Sequence, residues 1–534
     1  MSASLLIRNA QVLCLDAADR EWPRADIYIE AGRIVAIGPD AGLPYLQQAA
    51  RVIDADGMLA MPGLINAHFH SSGNLMKGCL DGLPLELFML HEVPPLANSG
   101  DSERLIYVRT ALGALEMLER GITAVHDDAY HVPIATRESV DAIMQAYADV
   151  GIRATVAIDQ PNIVEYDKYP FLEELLTPAQ RAAMDAAPRQ STDELLALYT
   201  DFIEHWHGAE AGRLRAAVSC SAPQRVTQDY FEGLSALSHK HNLPFNIHIL
   251  ETKLQRVLGE EEFGKSLIQY VADLGLLDRR MMVIHAIWVD DADIQLLVEA
   301  GCSVAHNPVC NLRLGSGVMP WRRLRNAGVP VCIGTDEMNT DDTTNLWQVA
   351  KTAALLQTIA DPEYRDWPRA PEMLHAATRG GARALLQEGE LGELTVGALA
   401  DIALLDLDTH AFTPLNDLRR QLVFAEDGTS VRYTIVNGRV VYEQGRVTTI
   451  DARALRREAR ELMKDYAAGL AHASVSAAEL AVAYRAMYLR ASQQDVGFSR
   501  WVGDGAATHP TSRHPGEGRD PDPASGTGSR PSPG

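Results

Sequence analysis

Nowhere in these 534 residues does an uninterrupted apolar run approach the roughly 20 residues that a membrane-spanning helix requires. The opening stretch MSASLLIRNAQVLCLDAADREW has neither a basic leader nor a long apolar core. A cytoplasmic location, without a membrane partner, is the expectation. Basic residues are also scarce: 48 Lys and Arg stand against 71 Asp and Glu, for a formal net charge of −23. Such a chain repels phosphate backbones and anionic lipid surfaces unless a local patch reverses the sign, and no such patch occurs, so nucleic acid is not an expected partner. There are only six cysteines, Cys14, Cys79, Cys220, Cys302, Cys310 and Cys332, and no CxxC pair. Their spread excludes a zinc ribbon and argues against a disulfide framework, leaving most of them as buried thiols. A G-x-S-x-G elbow for a serine hydrolase is missing as well.

The chain does contain enough apolar residues, 46%, to bury a sizeable core. Eight apolar runs stop at polar residues: MPGLINAHFH at His70, GITAVHDD at Asp128, IRATVAIDQ at Gln160, RAAVSCSAP at Pro223, PFNIHILET at Thr252, MMVIHAIWVD at Asp290, CSVAHNP at Pro308 and PVCIGTDE at Glu337. Helix-like stretches such as SERLIYVRTALGALEMLERG and DADIQLLVEAG lie between them. Apolar strands alternating with amphipathic helices point to a parallel sheet, and eight repeats suit an α/β fold of the closed (β/α)8 TIM-barrel type over residues 62–387. The flanks, residues 1–61 and 388–450, alternate like short strands and turns, and are expected to form one small β-sandwich from both ends of the chain. Residues 451–502 read as amphipathic helices. The Gly-, Pro- and Ser-rich tail 503–534 reads as disordered, so its His509 and His514 are not expected ligands.

In such a barrel the C-terminal ends of the strands carry the chemistry. His68 and His70 are two residues apart on the first strand, so both imidazoles face one way. His248 ends the fifth strand and Asp336 the eighth. Three neutral imidazoles and a carboxylate suit one Zn²⁺, or another imidazole-binding divalent ion such as Fe²⁺, with a position left for water. Glu251, past the end of strand five, can shuttle protons; His285, ending strand six, can polarise or protonate an oxyanion or a leaving nitrogen. Asp336 can also accept a proton from the activated water. Taken singly, Glu251 reads equally as a helix cap and His285 as a core histidine. His126, Gln160, His306 and Glu337 are candidates to line the substrate pocket. No Lys ends strand four, so a carboxylated-lysine bridge between two metals is not available there.

One competing motif, GEEEFGKS from Gly259 to Ser266, matches the phosphate-loop pattern. It follows a helical stretch rather than a buried strand, and Glu260, Glu261 and Glu262 sit where phosphate would be cradled, so it reads as chance.

Taken together, MPGLINAHFH, LMKGCLDGLPLELFML, HILET, AHNPVCNLRLGSGVMP, GTD, GELTVGALADIALLDLD and VNGRVVYEQG resemble the amidohydrolase superfamily. Within it, the chain is similar to the group of cytosine, guanine and S-adenosylhomocysteine deaminases and triazine chlorohydrolases. The resemblance implies that His68, His70, His248 and Asp336 hold one metal, and that Glu251 and His285 handle protons. It also implies hydrolytic attack on an electron-poor carbon bearing nitrogen or another leaving group, a small-molecule substrate, and assembly as a homo-oligomer. The expected reaction is hydrolysis of a non-peptide C–N bond in an amide, urea, carbamate or aminated heterocycle, with ring deamination or dechlorination as the alternative. Two departures stand out. The stretch CSAPQ puts Ser221 where nucleoside-type deaminases carry a His in PHAPY, and TDEMNTDD replaces TDGAASNN. Both point away from a ribose-bearing substrate; the added carboxylates Glu337, Asp341 and Asp342 suit a cationic or amine-bearing one, and equally suit capping of the following helix. The insertions 71–100 and 161–190 are long enough to cover the pocket.

Overall fold

Val, Ile and Ala crowd the runs that precede the polar strand ends, and these segments bury both faces as central parallel strands do. A computed structural model describes residues 4–502; the tail expected to be disordered lies outside the described residues. Leu64–His70, Ile122–Tyr130, Arg153–Asp159 and Leu214–Ala216 run parallel in one five-stranded sheet, whose fifth member, Asp336–Glu337, pairs with the first. Val218–Ser219, Phe245–Ile249, Met281–His285, Ser303–His306 and Val331–Ile333 form a second five-stranded parallel sheet. All eight expected runs therefore contain a strand, in chain order. The two sheets adjoin in the chain at both edges: only Ala217 separates Ala216 from Val218, and only Gly334 and Thr335 separate Ile333 from Asp336. Helices connect these strands; Asp291–Ala300, for example, is capped by the Asp290 side chain and ends at Gly301 in the left-handed conformation.

The strands are shorter than their apolar runs in places. HAIWVD continues past the strand that ends at His285, yet Ile287, Trp288 and Val289 are fully buried. The layer above the strand ends is itself covered, so hydrophobicity does not stop where the hydrogen-bonded ladder does.

Strands from the two ends of the chain join one nine-stranded sheet. Met58–Pro62 pairs antiparallel with Ile402–Asp406, in the register Leu59 to Leu405. A separate apolar core, including Ile7, Val12, Ile27, Ile402 and Ile435, lies within this region. The third strand of the parallel array is locked to it by a buried ion pair: Arg153 donates from Nε and Nη2 to the two Asp401 oxygens at 2.7 and 3.1 Å. Removing one partner leaves the other charge buried and alone, so Arg153→Ala is expected to destabilise the protein by about 3–5 kcal/mol, read by denaturant titration.

Where the sequence reads as two C-terminal helices, the chain forms one helix, Ala452–Ser492, of 41 residues. Only Gly469 interrupts its helix-forming residues, and a single glycine costs about 1 kcal/mol, too little to break it. Its last turns bury Ala477, Leu480, Tyr484 and Met487 against Leu90, Tyr169, Leu172 and Met184, which belong to the two insertions. The helix thereby fixes the segments that roof the strand ends. Among the described residues, no helix is long and apolar enough to cross a membrane.

Candidate metal centre and active site

The ends of strands one, five, six and eight bring His68, His70, His248, His285 and Asp336 to one point. Their ligand-type atoms form two overlapping groups, His68 with His248 and His285, and His68 with His70 and Asp336, each within 4.8 Å. Asp336 Oδ1 is 3.2 Å from His68 Nε2 and 3.5 Å from His70 Nε2. The His68 and His70 rings are edge-on with centroids 4.7 Å apart, and the His70 and His248 rings are stacked at 5.4 Å.

Local structure fixes these side chains. The Asn66 side chain donates to Thr335 Oγ1 at 2.8 Å and accepts from the Thr335 amide at 2.9 Å, which pins the turn before Asp336 against the first strand. Gly334 allows that approach: a Cβ there would lie 2.6 Å from the His68 carbonyl oxygen. Asp336, His285 and Ala286 all hold positive φ, at 63°, 73° and 47°, a backbone conformation that costs about 1–3 kcal/mol at non-glycine residues and gathers at functional sites.

Backbone carbonyls assign the tautomers of His70 and His248. His70 Nδ1 contacts the Asp128 carbonyl at 2.5 Å and His248 Nδ1 contacts the Ser221 carbonyl at 2.8 Å. A carbonyl only accepts, so both Nδ1 atoms carry the proton and both Nε2 lone pairs are free for a metal ion. Neither nitrogen of buried His68 has a hydrogen-bond partner, and Asp336 Oδ2 has none. Buried polar atoms rarely go unsatisfied, so these orphans fit a divalent ion held by His68, His70, His248 and Asp336.

His285 and Glu251 stand beside this set. His285 Nε2 is 3.5 Å from Glu251 Oε2 and 3.6 Å from Asp336 Oδ2, while its Nδ1 donates to Asn311 Oδ1 at 2.9 Å. Nε2 is therefore the nitrogen free to take up and hand on a proton. Asn311→Leu is expected to lower kcat by roughly 10-fold or more by releasing the ring, with bound metal retained; steady-state kinetics beside metal analysis checks this. The two carboxyls are driven apart. Burial, with the Asp336 charge next, pushes Glu251 well above its usual range. Burial works against ionisation of Asp336 too, but the imidazoles of His68, His285 and His70 outweigh it and hold that group well below the usual carboxylate range. Burial lowers His68 to about 4 and also lowers His248 and His285, keeping their lone pairs available. Pairs pushed apart in this way divide into acid and base.

The substrate candidates separate into two groups. Gln160 and Glu337 line the chamber above the site, together with His70, His248, His285 and Glu251. Burial, and next the Glu92 carboxylate, pushes Glu337 well above the usual range. His126 and His306 are fully buried and are not among the chamber's lining residues. His126 lies two residues before Asp128, on the same face one layer deeper, and His306 packs against the Trp321 ring at 5.9 Å. Asp127 is scaffolding: it accepts from the Ser71 amide and the Tyr147 hydroxyl at 2.9 and 2.8 Å. Asp128, Asp159 and His248 form a third group of possible ligands. Burial and then Asp159 push Asp128 up to about 8, which favours a protonated carboxyl there. Both insertions contribute to the chamber, through Leu85, Met89 and Pro95 on one side and Ile163, Tyr169 and Met184 on the other.

The phosphate-loop lookalike is excluded by its setting. Its first residues belong to the helix Lys253–Phe263, and Lys265 pairs with Asp273 at 2.7 Å. Three residues that bear on the site are not singled out by the sequence reasoning: Asn311 behind His285, which lies within the motif AHNPVCNLRLGSGVMP; Asp159 beside Asp128, which lies within the run IRATVAIDQ; and Arg225 on the chamber wall.

Residues 59–441 match the model of the amidohydrolase family, which spans most of the chain. The protein belongs to the amidohydrolase family. It is a hydrolase of carbon–nitrogen bonds, as the sequence led us to expect. A 5-methylthioadenosine/S-adenosylhomocysteine deaminase from Desulforudis audaxviator is 33% identical over 85% of this chain and 97% of its own. A 5'-deoxyadenosine deaminase from Methanosarcina acetivorans is 29% identical over 87% of this chain and 99% of its own. Among solved structures, a triazine hydrolase from Arthrobacter aurescens superposes with a TM-score of 0.78 at 26% identity, covering 86% of this chain and 99% of that one. A zinc-bound adenosine deaminase from Xanthomonas campestris gives a TM-score of 0.76 at 26% identity, covering 86% and 98%. The fold is therefore of the TIM-barrel type found in this family.

Proposed function

We propose that this amidohydrolase is an aminohydrolase, which replaces an amino group on an electron-poor ring carbon of a nitrogen heterocycle by oxygen and releases ammonia. The observation that carries the reading is the arrangement of Glu251 and Asp336 on either side of His285, with Glu251 Oε2 and Asp336 Oδ2 at 3.5 and 3.6 Å from its Nε2, beside the point faced by His68, His70 and His248. The deaminase relatives support ring chemistry over cleavage of an amide, urea or carbamate, and so favour what the sequence alone left as the alternative.

His68, His70, His248 and Asp336 would hold one divalent ion, with zinc foremost and ferrous iron second. When bound, the ion supplies Lewis acidity that brings the pKa of a water towards neutrality. The chain's own groups do the rest. Asp336 is placed to accept the proton of the attacking water. Glu251 donates to the ring nitrogen, and the proton passes through it to the departing amine. His285, oriented by Asn311, takes up a proton at Nε2 and stabilises the oxygen as charge develops on it. Gln160 and Glu337 face the ring from the chamber wall.

The same reading treats the two parallel sheets as a closed (β/α)8 barrel over 62–387, since they adjoin in the chain at both edges. The strands of 1–61 and 388–450 then make the β-sandwich, and 451–502 a helical arm. Six free cysteines support a reducing, cytoplasmic setting.

The test is product analysis. Zinc-loaded protein is offered amino-substituted triazines and purines, chlorinated triazines, aryl ureas and anilides. Ammonia from the aminated rings is the expected product. Amine from the ureas or anilides, or chloride from the chlorinated rings, with no ammonia, would replace this reading with another branch of the family's chemistry.

A further inference from the structure

Strand four ends in the stretch that departs from nucleoside-type deaminases, and two of its residues face the catalytic chamber. Ser221 and Arg225 both line it, beside His248 and Glu251. Ser221 holds φ at +63°, and its carbonyl accepts from both the amide and Nδ1 of His248, each at 2.8 Å. Its hydroxyl accepts from Arg225 Nη1 at 3.2 Å. Arg225 is held at the end of the short helical turn Pro223–Arg225, where its own carbonyl accepts from the Asn162 amide.

The Arg225 side chain is under-used. The residue is only 8% exposed, yet the contact to Ser221 is its one side-chain hydrogen bond among the described residues. No carboxylate oxygen of those residues comes within 4.0 Å of the guanidinium. The chamber's other cations are committed. Lys168 pairs with Glu165 at 2.7 Å, and Arg189 donates to the carbonyls of Met184 and Asp185. Glu165 is taken further by the Tyr484 hydroxyl at 3.0 Å. Asp159, Glu251 and Glu165 favour its charge from a distance without bonding to it, so most of the five donors of this guanidinium are left for a ligand that supplies acceptors. Four donors are left over, and those at Nε and Nη2 are the fork that reads a carboxylate or a polarised carbonyl.

We propose that Arg225 is a specificity-determining residue that binds an anionic or strongly polarised oxygen on the substrate ring, so that the preferred substrate is an aminated heterocycle carrying a ring oxo group or a carboxylate. This deepens the proposed deamination and depends on it for the identity of the reacting group, though not for the recognition of the oxygen. Ser221 belongs to the same device. A bulkier imidazole at that position would compete for the space and hydrogen bonds that Ser221 gives to Arg225. The departure that argued against a ribose-bearing substrate thus acquires a positive meaning.

The test uses one scaffold with one changed substituent. Zinc-loaded wild type, Arg225→Met and Arg225→Lys are given melamine, its relative with one amino group replaced by ring oxygen, and its relative with one amino group replaced by carboxylate. Cyanurate, which has ring oxygens and no amine to lose, is added as a pure binding probe. Calorimetry reads affinity, and ammonia release reads turnover. Wild type is expected to bind the oxo or carboxylate ring at least about 10-fold more tightly than melamine, as one hydrogen bond to a charged group allows. Arg225→Met should erase that preference, mainly through KM, and Arg225→Lys should restore part of it. A stronger effect on the carboxylate identifies an exocyclic acid as the recognised group; a stronger effect on the oxo ring identifies a ring oxygen. Two results overturn the proposal. One is wild-type protein that prefers melamine, or that binds neither oxygen-bearing ring. The other is an Arg225→Met variant that loses kcat equally on every probe, which marks a residue that merely props His248 through Ser221. Tight, Arg225-dependent binding of cyanurate with no ammonia from any probe would leave the recognition standing and sink the deaminase reading instead.

Discussion

Glu251→Gln is expected to lower kcat by about 10²- to 10⁴-fold with bound metal unchanged. Glutamine keeps the shape and most of the packing of this fully enclosed side chain, and it still accepts or donates a hydrogen bond. What it cannot do is give up a proton and take it back. Glu251 sits outside the four residues whose donors converge, and its amide is fixed by the Gln255 side chain at 2.8 Å, so the backbone around it should not shift. The measurement pairs metal analysis with single-turnover kinetics. Loss of metal in this variant would mean that Glu251 is itself a ligand, and turnover within threefold of wild type would remove it from the proton path.

Asp336→Ala should have the other large effect. Bound metal should fall from about one ion per chain to near none, and turnover should fall with it. Asp336 Oδ1 faces two imidazoles, and the residue adopts a left-handed backbone that the neighbouring Asn66 contacts hold in place. Its removal takes away the one carboxylate of the set and leaves three neutral imidazoles with no anionic ligand to balance the ion's charge. Competing ligands in the buffer would not rescue it, because the site lies beneath a roof. His68→Ala should behave alike in metal content. A variant of either kind that keeps a full complement of metal would show that the ion sits elsewhere, and the Asp128, Asp159 and His248 group would be the place to look.

Much of this was legible in the sequence because strand periodicity and chemistry coincide. His68 and His70 alternate in step with a strand, and the run that carries them stops where its parallel strand does, at His70. The parts that were not legible have physical reasons. The carbonyls that fix the imidazole tautomers belong to Asp128 and Ser221, and every residue has a carbonyl, so nothing in the letters marks these two. Arg225 looks like any basic residue after a strand until the turn Pro223–Arg225 aims it inward. His126 and His306 have the same strand setting as His68 and His70, and only the layering of side chains separates them from the chamber. The long C-terminal helix escaped for a different reason: its apolar face changes partner along its length, so the pattern reads as two elements where the backbone makes one.

The pairing of Leu59 with Leu405 has a consequence for synthesis. The two residues are separated by roughly 350 positions, and at about 5–20 residues per second the ribosome needs tens of seconds to deliver the second after the first. Throughout that interval the strand Met58–Pro62 has an open edge and an apolar face. The newborn chain must hold this edge apart from other nascent chains until its far end arrives. Yield in the cell should therefore depend more on chaperone supply and on the speed of translation than the stability of the finished enzyme would suggest.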